Sequence, residues 1–207
     1  VQYRAAFRLL AEKYGFPIRL TSNCNIIFHD IPPALKDEVD QVLRDHRVPD
    51  STHMTEARRL GMACVALPTC GLALAESERV FQEILDQIDV HLRELRLENE
   101  PLLIRMTGCP NGCARPYNAD IAFVGKSHGK YVIFVGGSHR GDRMAAVDQK
   151  MVLLDDIPRV VRGYLEEFAQ HRQPGESFTD YWGRTRHRSS DARPEQFHAV
   201  IEESAVS

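Results

Sequence analysis

Thr107-Gly108-Cys109-Pro110-Asn111-Gly112-Cys113, together with Cys64-Val65-Ala66-Leu67-Pro68-Thr69-Cys70, is the stretch on which the reading of this chain turns. Five residues separate Cys64 from Cys70, three separate Cys109 from Cys113, and 38 lie between the pairs. Two close pairs brought together by a fold make a four-thiolate site, which suits an iron–sulfur cluster or zinc. The five-residue gap is wider than the usual structural zinc knuckle, which favours the cluster without excluding zinc, a disulfide or unrelated core thiols. Pro68 and Pro110 are expected to hold the loops open and to remove backbone donors, leaving selected N–H groups to face the sulfurs. The fifth cysteine, Cys24, reads as a small buried apolar residue, with a place along a cofactor edge as the alternative.

Working outward, the 207 residues are enough for one large domain or two small ones, and a hydrophobic share of 43% supports a buried core. The net charge of −3 gives no global basic field, so nucleic acid is not expected as a partner. No apolar run approaches the length of a membrane span. Five cysteines are too few and too uneven for a secreted disulfide scaffold, and free thiols destined for metal imply a reducing cytoplasm. The N-terminus lacks the order of a signal peptide and opens inside an amphipathic pattern, so the chain reads as a fragment of a longer protein.

The periodicities predict an α+β layout. A helix is expected over 3–14, with Phe7, Leu9, Leu10 and Tyr14 near one face, and two short strands over 18–31 flank Asn23-Cys24-Asn25. Pro32 and Pro33 start a helix running to about 45, and 46–60 reads as a polar linker. A long helix is expected from Leu74 to Leu97, a buried strand over 101–106 feeding the second cysteine loop, and strands over 119–124 and 130–135. A last helix carries Pro158 in its first turn. The domain reading is 1–50, 51–186 and a flexible polar tail, 187–207.

ACVALPTCGLALAESER (63–79) and MTGCPNGCARPYNADIAFVG (106–125) resemble the C-terminal half of the hemoprotein subunits of the siroheme-dependent sulfite/nitrite reductase family. The likeness extends over about residues 1–186, through RLTSNCNIIF, Gly136-Gly137 and ESFTDYWGRT. It implies a partial ferredoxin-like half-domain followed by a [4Fe–4S]/siroheme-binding α/β domain. It implies Cys64, Cys70, Cys109 and Cys113 as cluster ligands, with Cys113 also the axial ligand of siroheme iron and so the catalytic bridge between the two cofactors. Asn111, Arg115, Arg19, Thr21, Asn23 and Asn25 match positions beside the macrocycle. Cys24 stands where the family usually has Gln, which puts one polar contact in doubt. Siroheme carries many carboxylates, so Arg105, Arg115, Lys126, Arg140 and Arg143 are candidate partners, Arg115 first.

Gly112, where nitrite reductases tend to carry Ser, and the context Leu67-Pro68-Thr69-Cys70-Gly71-Leu72-Ala73 point to the sulfite branch. The resemblance then implies six-electron reduction of sulfite to hydrogen sulfide in sulfate assimilation, with electrons arriving from a flavoprotein subunit or ferredoxin. Distal acids would come from an N-terminal half outside this chain, so the chain alone is not expected to reduce sulfite. Siroheme nitrite reductase and a non-catalytic cluster-binding electron-transfer module are the alternatives.

Overall fold

A computed structural model describes residues 2–23, 25–49 and 51–186. They divide into two compact units, one within 1–54 and one beginning at Thr55. Cys24 and the predicted tail lie outside the described residues.

The first unit is built from α1 (Gln2–Tyr14), the hairpin β1 (Ile18–Leu20) and β2 (Ile26–Phe28), and α2 (Lys36–Asp45). Leu10, Phe16 and Val39 form its buried centre, with Phe28, Ile31, Leu35, Val42 and Leu43 packed around them. Leu9, expected on the same face as Leu10, is exposed instead. Gly15, at φ +65°, ends α1 in the left-handed conformation that suits glycine at a helix C-terminus.

The second unit is a mixed five-stranded sheet in the order β3 (Met62–Ala63), β4 (Ile104–Thr107), β5 (Ile121–Ser127), β6 (Lys130–Val135) and β7 (Ala146–Leu153). β3, β4 and β5 run parallel, β6 is antiparallel to β5, and β7 is antiparallel to β6. Strand alternation sorts the side chains into two layers. Ile104, Met106, Ile121, Phe123, Tyr131 and Ile133 enter the main core under α4 (Glu78–Glu94) and α5 (Ile157–His171). Ala122, Val124, Val132 and Phe134 face the other way, against Leu103, Ala119 and Ala145. Burial on both faces explains why β5 and β6 read as continuous apolar runs. The mixed sheet between helices and loops is the α+β architecture expected.

Besides the two-residue β3, three elements went unforeseen. Residues 46–60, expected as a linker, contain α3 (Glu56–Leu60), whose cap Thr55 accepts the Arg58 N–H at 3.2 Å. Buried Asp89 of α4 takes both the Thr55 hydroxyl and Arg58 Nε, so a five-residue helix is held by tertiary contacts. β7 is an edge strand with exposed Gln149, Lys150 and Met151, too polar to signal itself. The third is α6 (Phe178–Thr185), whose Trp182 packs where a Cβ on Gly136 would come within 2.6 Å of the indole. The helix predicted from Leu74 begins only at Glu78; the Leu74 and Ala75 N–H groups before it donate to the Gly108 carbonyl.

Asp120, at the start of β5, is buried and accepts the Leu103 N–H at 2.8 Å. Burial pushes its carboxyl up to about 6, against the opposing pull of that N–H and of Thr179. Because the folded value lies above the unfolded one, ionisation costs stability: nothing below the ordinary carboxyl range, the full amount above about 6. That cost is on the order of 3 kcal/mol at most. Asp120→Asn keeps an acceptor for Leu103 without the charge. It is expected to melt above the wild type at pH 7.5, the gap closing towards pH 4. A variant that melts below the wild type by the same margin at both pH values would refute this.

Candidate metal centre

β3 and β4 are parallel neighbours, so their C-terminal ends release loops on the same edge of the sheet. Cys64 follows β3 directly and its N–H donates to the Met106 carbonyl at 3.2 Å. Cys109 follows β4 by two residues. This pairing joins cysteine pairs that are far apart in sequence. The first loop closes with Cys70 N–H on the Ala66 carbonyl (2.7 Å) and is pinned by Leu74 and Ala75, whose N–H groups donate to the Gly108 carbonyl at 2.8 and 3.0 Å. Arg79, in the first turn of α4, donates to the Leu67 carbonyl at 2.6 Å and braces the same loop from outside.

Glycine makes the close approach possible. A Cβ on Gly108 would lie 2.6 Å from the Ala66 Cβ and 2.7 Å from the Ala75 carbonyl oxygen. On Gly125 of β5 it would lie 2.4 Å from the Gly108 oxygen. The second loop turns through Gly112 at φ +68° and Arg115 at φ +53°. There Arg115 N–H donates to the Gly112 carbonyl (2.8 Å), and the Tyr117 hydroxyl donates to the Pro110 carbonyl (2.6 Å).

Cys109 is buried, Cys64 and Cys70 are half-buried, and Cys113 is exposed. Gly108 N–H points at Cys64 Sγ at 3.2 Å, and the Asn111 N–H bonds Cys109. Burial pushes the Cys109 thiol up, and Cys113, Cys64 and Cys70 add to the shift, so all four sulfurs share one electrostatic neighbourhood. N–H donors aimed at sulfurs suit thiolates whose charge is shared with iron. Among the described residues no three His, Cys, Asp or Glu side chains converge closely enough to hold a single metal ion. Four thiols in one electrostatic neighbourhood, with backbone N–H groups on two of them, fit a cluster held by four thiolates.

Around Cys113, Asn111 and Arg115 are also exposed. Arg105, one of the candidate carboxylate partners, is buried on β4. One guanidinium nitrogen donates to the Arg115 carbonyl and to Asn118, its Nε has no hydrogen-bond partner, and Arg115 is a close like charge. A buried guanidinium with an unused donor beside a second arginine fits a polycarboxylate cofactor. Arg143 is paired with Asp180 at 2.9 Å, Lys126 is half-buried and Arg140 exposed. Arg19, Thr21, Asn23 and Asn25 belong to the hairpin of the first unit. There the Thr21 hydroxyl accepts the N–H groups of Asn23 (3.3 Å) and Asn25 (3.0 Å) and shapes the turn.

Residues 56–206 match the family model described as "Nitrite and sulphite reductase 4Fe-4S domain", and residues 2–46 match the "Nitrite/Sulfite reductase ferredoxin-like half domain". The chain belongs to the nitrite and sulfite reductase family. The first match extends into the last twenty residues, where the sequence alone offered no likeness. Similar proteins include "Sulfite reductase [NADPH] hemoprotein beta-component" from Chromohalobacter salexigens, 39% identical over 96% of this chain and 34% of the relative. The protein of the same name from Staphylococcus saprophyticus is 41% identical over 86% of this chain and 31% of its own length. The chain therefore spans about a third of these curated relatives. The structure of the NirA protein of Mycobacterium tuberculosis superposes with a TM-score of 0.75 at 26% identity, over 90% of this chain and 35% of that one. No helix among the described residues is long and apolar enough to cross a membrane.

Proposed function

We propose that this chain is the cluster-bearing part of a siroheme-dependent sulfite reductase, which reduces sulfite to hydrogen sulfide. The observation that carries the reading is the convergence of Cys64, Cys70, Cys109 and Cys113 at the ends of two parallel strands, with N–H groups turned onto the sulfurs. When bound, a [4Fe–4S] cluster and a siroheme supply the electrons and the iron that takes the substrate. Cys64, Cys70 and Cys109 hold the cluster, and exposed Cys113 is the thiolate that a second cofactor can also reach. Arg105 and Arg115 hold macrocycle carboxylates, and Asn111 lines the same edge. Arg19, Thr21, Asn23 and Asn25 are further macrocycle contacts in this reading.

Sulfite is preferred to nitrite as substrate because of Gly112 and the names of the relatives. Those names carry NADPH, which favours a flavoprotein donor over ferredoxin. Four cysteines committed to metal favour a reducing compartment, which supports the cytoplasm as the location in this reading. The test is an anaerobic assay of the holoprotein with a strong artificial reductant, measuring sulfide from sulfite and ammonia from nitrite. A larger kcat/KM for sulfite is expected, with no sulfide from the 207-residue chain alone. A preference for nitrite would overturn the substrate assignment.

A further inference from the structure

Thr107 ends β4 on the face opposite Met106 and is fully buried. Its hydroxyl oxygen lies 3.4 Å from Cys64 Sγ and 3.4 Å from the Cys109 carbonyl oxygen. One proton thus faces two acceptors. Against a neutral thiol the carbonyl is the stronger acceptor, since sulfur accepts weakly. Against a thiolate the balance reverses, because a charged acceptor roughly doubles the strength of the bond.

We propose that Thr107 is a positioning residue that tunes the reduction potential of the cluster, its hydroxyl turning from the Cys109 carbonyl to the Cys64 sulfur once that sulfur is a metal ligand. The inference rests on the cluster reading above. With the Gly108 N–H at 3.2 Å, it puts two donors on the Cys64 sulfur. When an external reductant adds one electron, no bond forms or breaks, and negative charge on the ligand sulfurs grows. Both hydrogen bonds then strengthen, in a setting where burial spares them competition from water. The reduced state gains more than the oxidised one, so the potential is held higher than it would be without the hydroxyl.

The alternative is that Thr107 only fills space, and a potential separates the two. Wild-type holoprotein, Thr107→Val and Thr107→Ser would be analysed for iron and acid-labile sulfide, then titrated under EPR detection to obtain the cluster midpoint. Valine keeps the shape and removes the donor, so its midpoint is expected at a more negative potential. Serine restores the donor and is expected to return the midpoint to the wild-type value. The EPR signal arises only from loaded molecules, so partial loading of a variant does not move its midpoint. Should valine prevent loading altogether, Thr107→Ala takes its place against serine. A donor-free variant at the wild-type midpoint, or a serine variant displaced as far as the donor-free one, overturns the inference and leaves the cluster reading intact. Wild-type holoprotein without iron and sulfide overturns both.

Discussion

Cys113→Ser is expected to strip the holoprotein of its coupled cofactors while leaving the polypeptide folded. Cys113 is exposed, whereas Cys109 is 7% exposed and Cys64 is woven into the sheet through its N–H and its sulfur. Serine at 113 therefore removes no core packing, and stability measured on the protein without cofactors should move by no more than about 0.5 kcal/mol, as for an ordinary surface change. A serine hydroxyl is a harder, far less acidic ligand than a thiol, so the ligand proposed to serve both cofactors would be lost. Iron and acid-labile sulfide content, the visible spectrum and sulfide production should all collapse. Cys109→Ser is expected to cause the same collapse and, in addition, to bury a shorter hydroxyl that must find a partner for its own proton, at a cost of about 1–3 kcal/mol. A Cys113→Ser holoprotein with full iron, sulfide and activity would refute the ligand assignment.

Gly125→Ala is expected to break the site from behind. The new Cβ would stand 2.4 Å from the Gly108 oxygen, 2.7 Å from its carbonyl carbon and 2.8 Å from the Ala75 Cβ. Two of these three contacts are with backbone, so rotating a side chain cannot relieve them. Gly108 must move, and with it the carbonyl that pins Leu74 and Ala75 and the N–H that faces Cys64. Overpacking of this kind costs about 1–3 kcal/mol, or a fall in Tm of roughly 3–10 °C in a domain of this size. Cluster content should fall further than stability alone predicts, because the displaced groups line the site. Gly163→Ala is the matched comparison. That glycine lies exposed within α5 with nothing near its Cβ position. Alanine there should raise stability by up to about 1 kcal/mol. Equal melting temperatures for the two variants would show that the contact at Gly125 is relieved elsewhere.

How much of this was legible beforehand depended on whether the signal was local. The apolar stripes of α1, α4 and α5 appear in the sequence because one helix face meets a core. Thr107-Gly108-Cys109-Pro110-Asn111-Gly112-Cys113 was legible because its spacing is dense and its residue types are chemically restricted. α3 and α6 were not, because a short helix takes its stability from contacts made elsewhere: Asp89 in one case, the Gly136 step in the other. Edge strand β7 was not, because one partner and a wet face leave no apolar run.

The sequence by itself grouped the thiols into two close pairs, since cysteine spacing is a property of the chain, and its resemblance to the family supplied the expected cofactors. Only the tertiary structure decided how the pairs meet: parallel pairing of β3 with β4 brings the loops to one edge, and the glycines at 108 and 125 let those loops close. It also decided that Arg105 is buried and that Cys113 is the exposed corner. Burial and donor direction are set by neighbours remote in sequence, and composition and spacing carry no record of them.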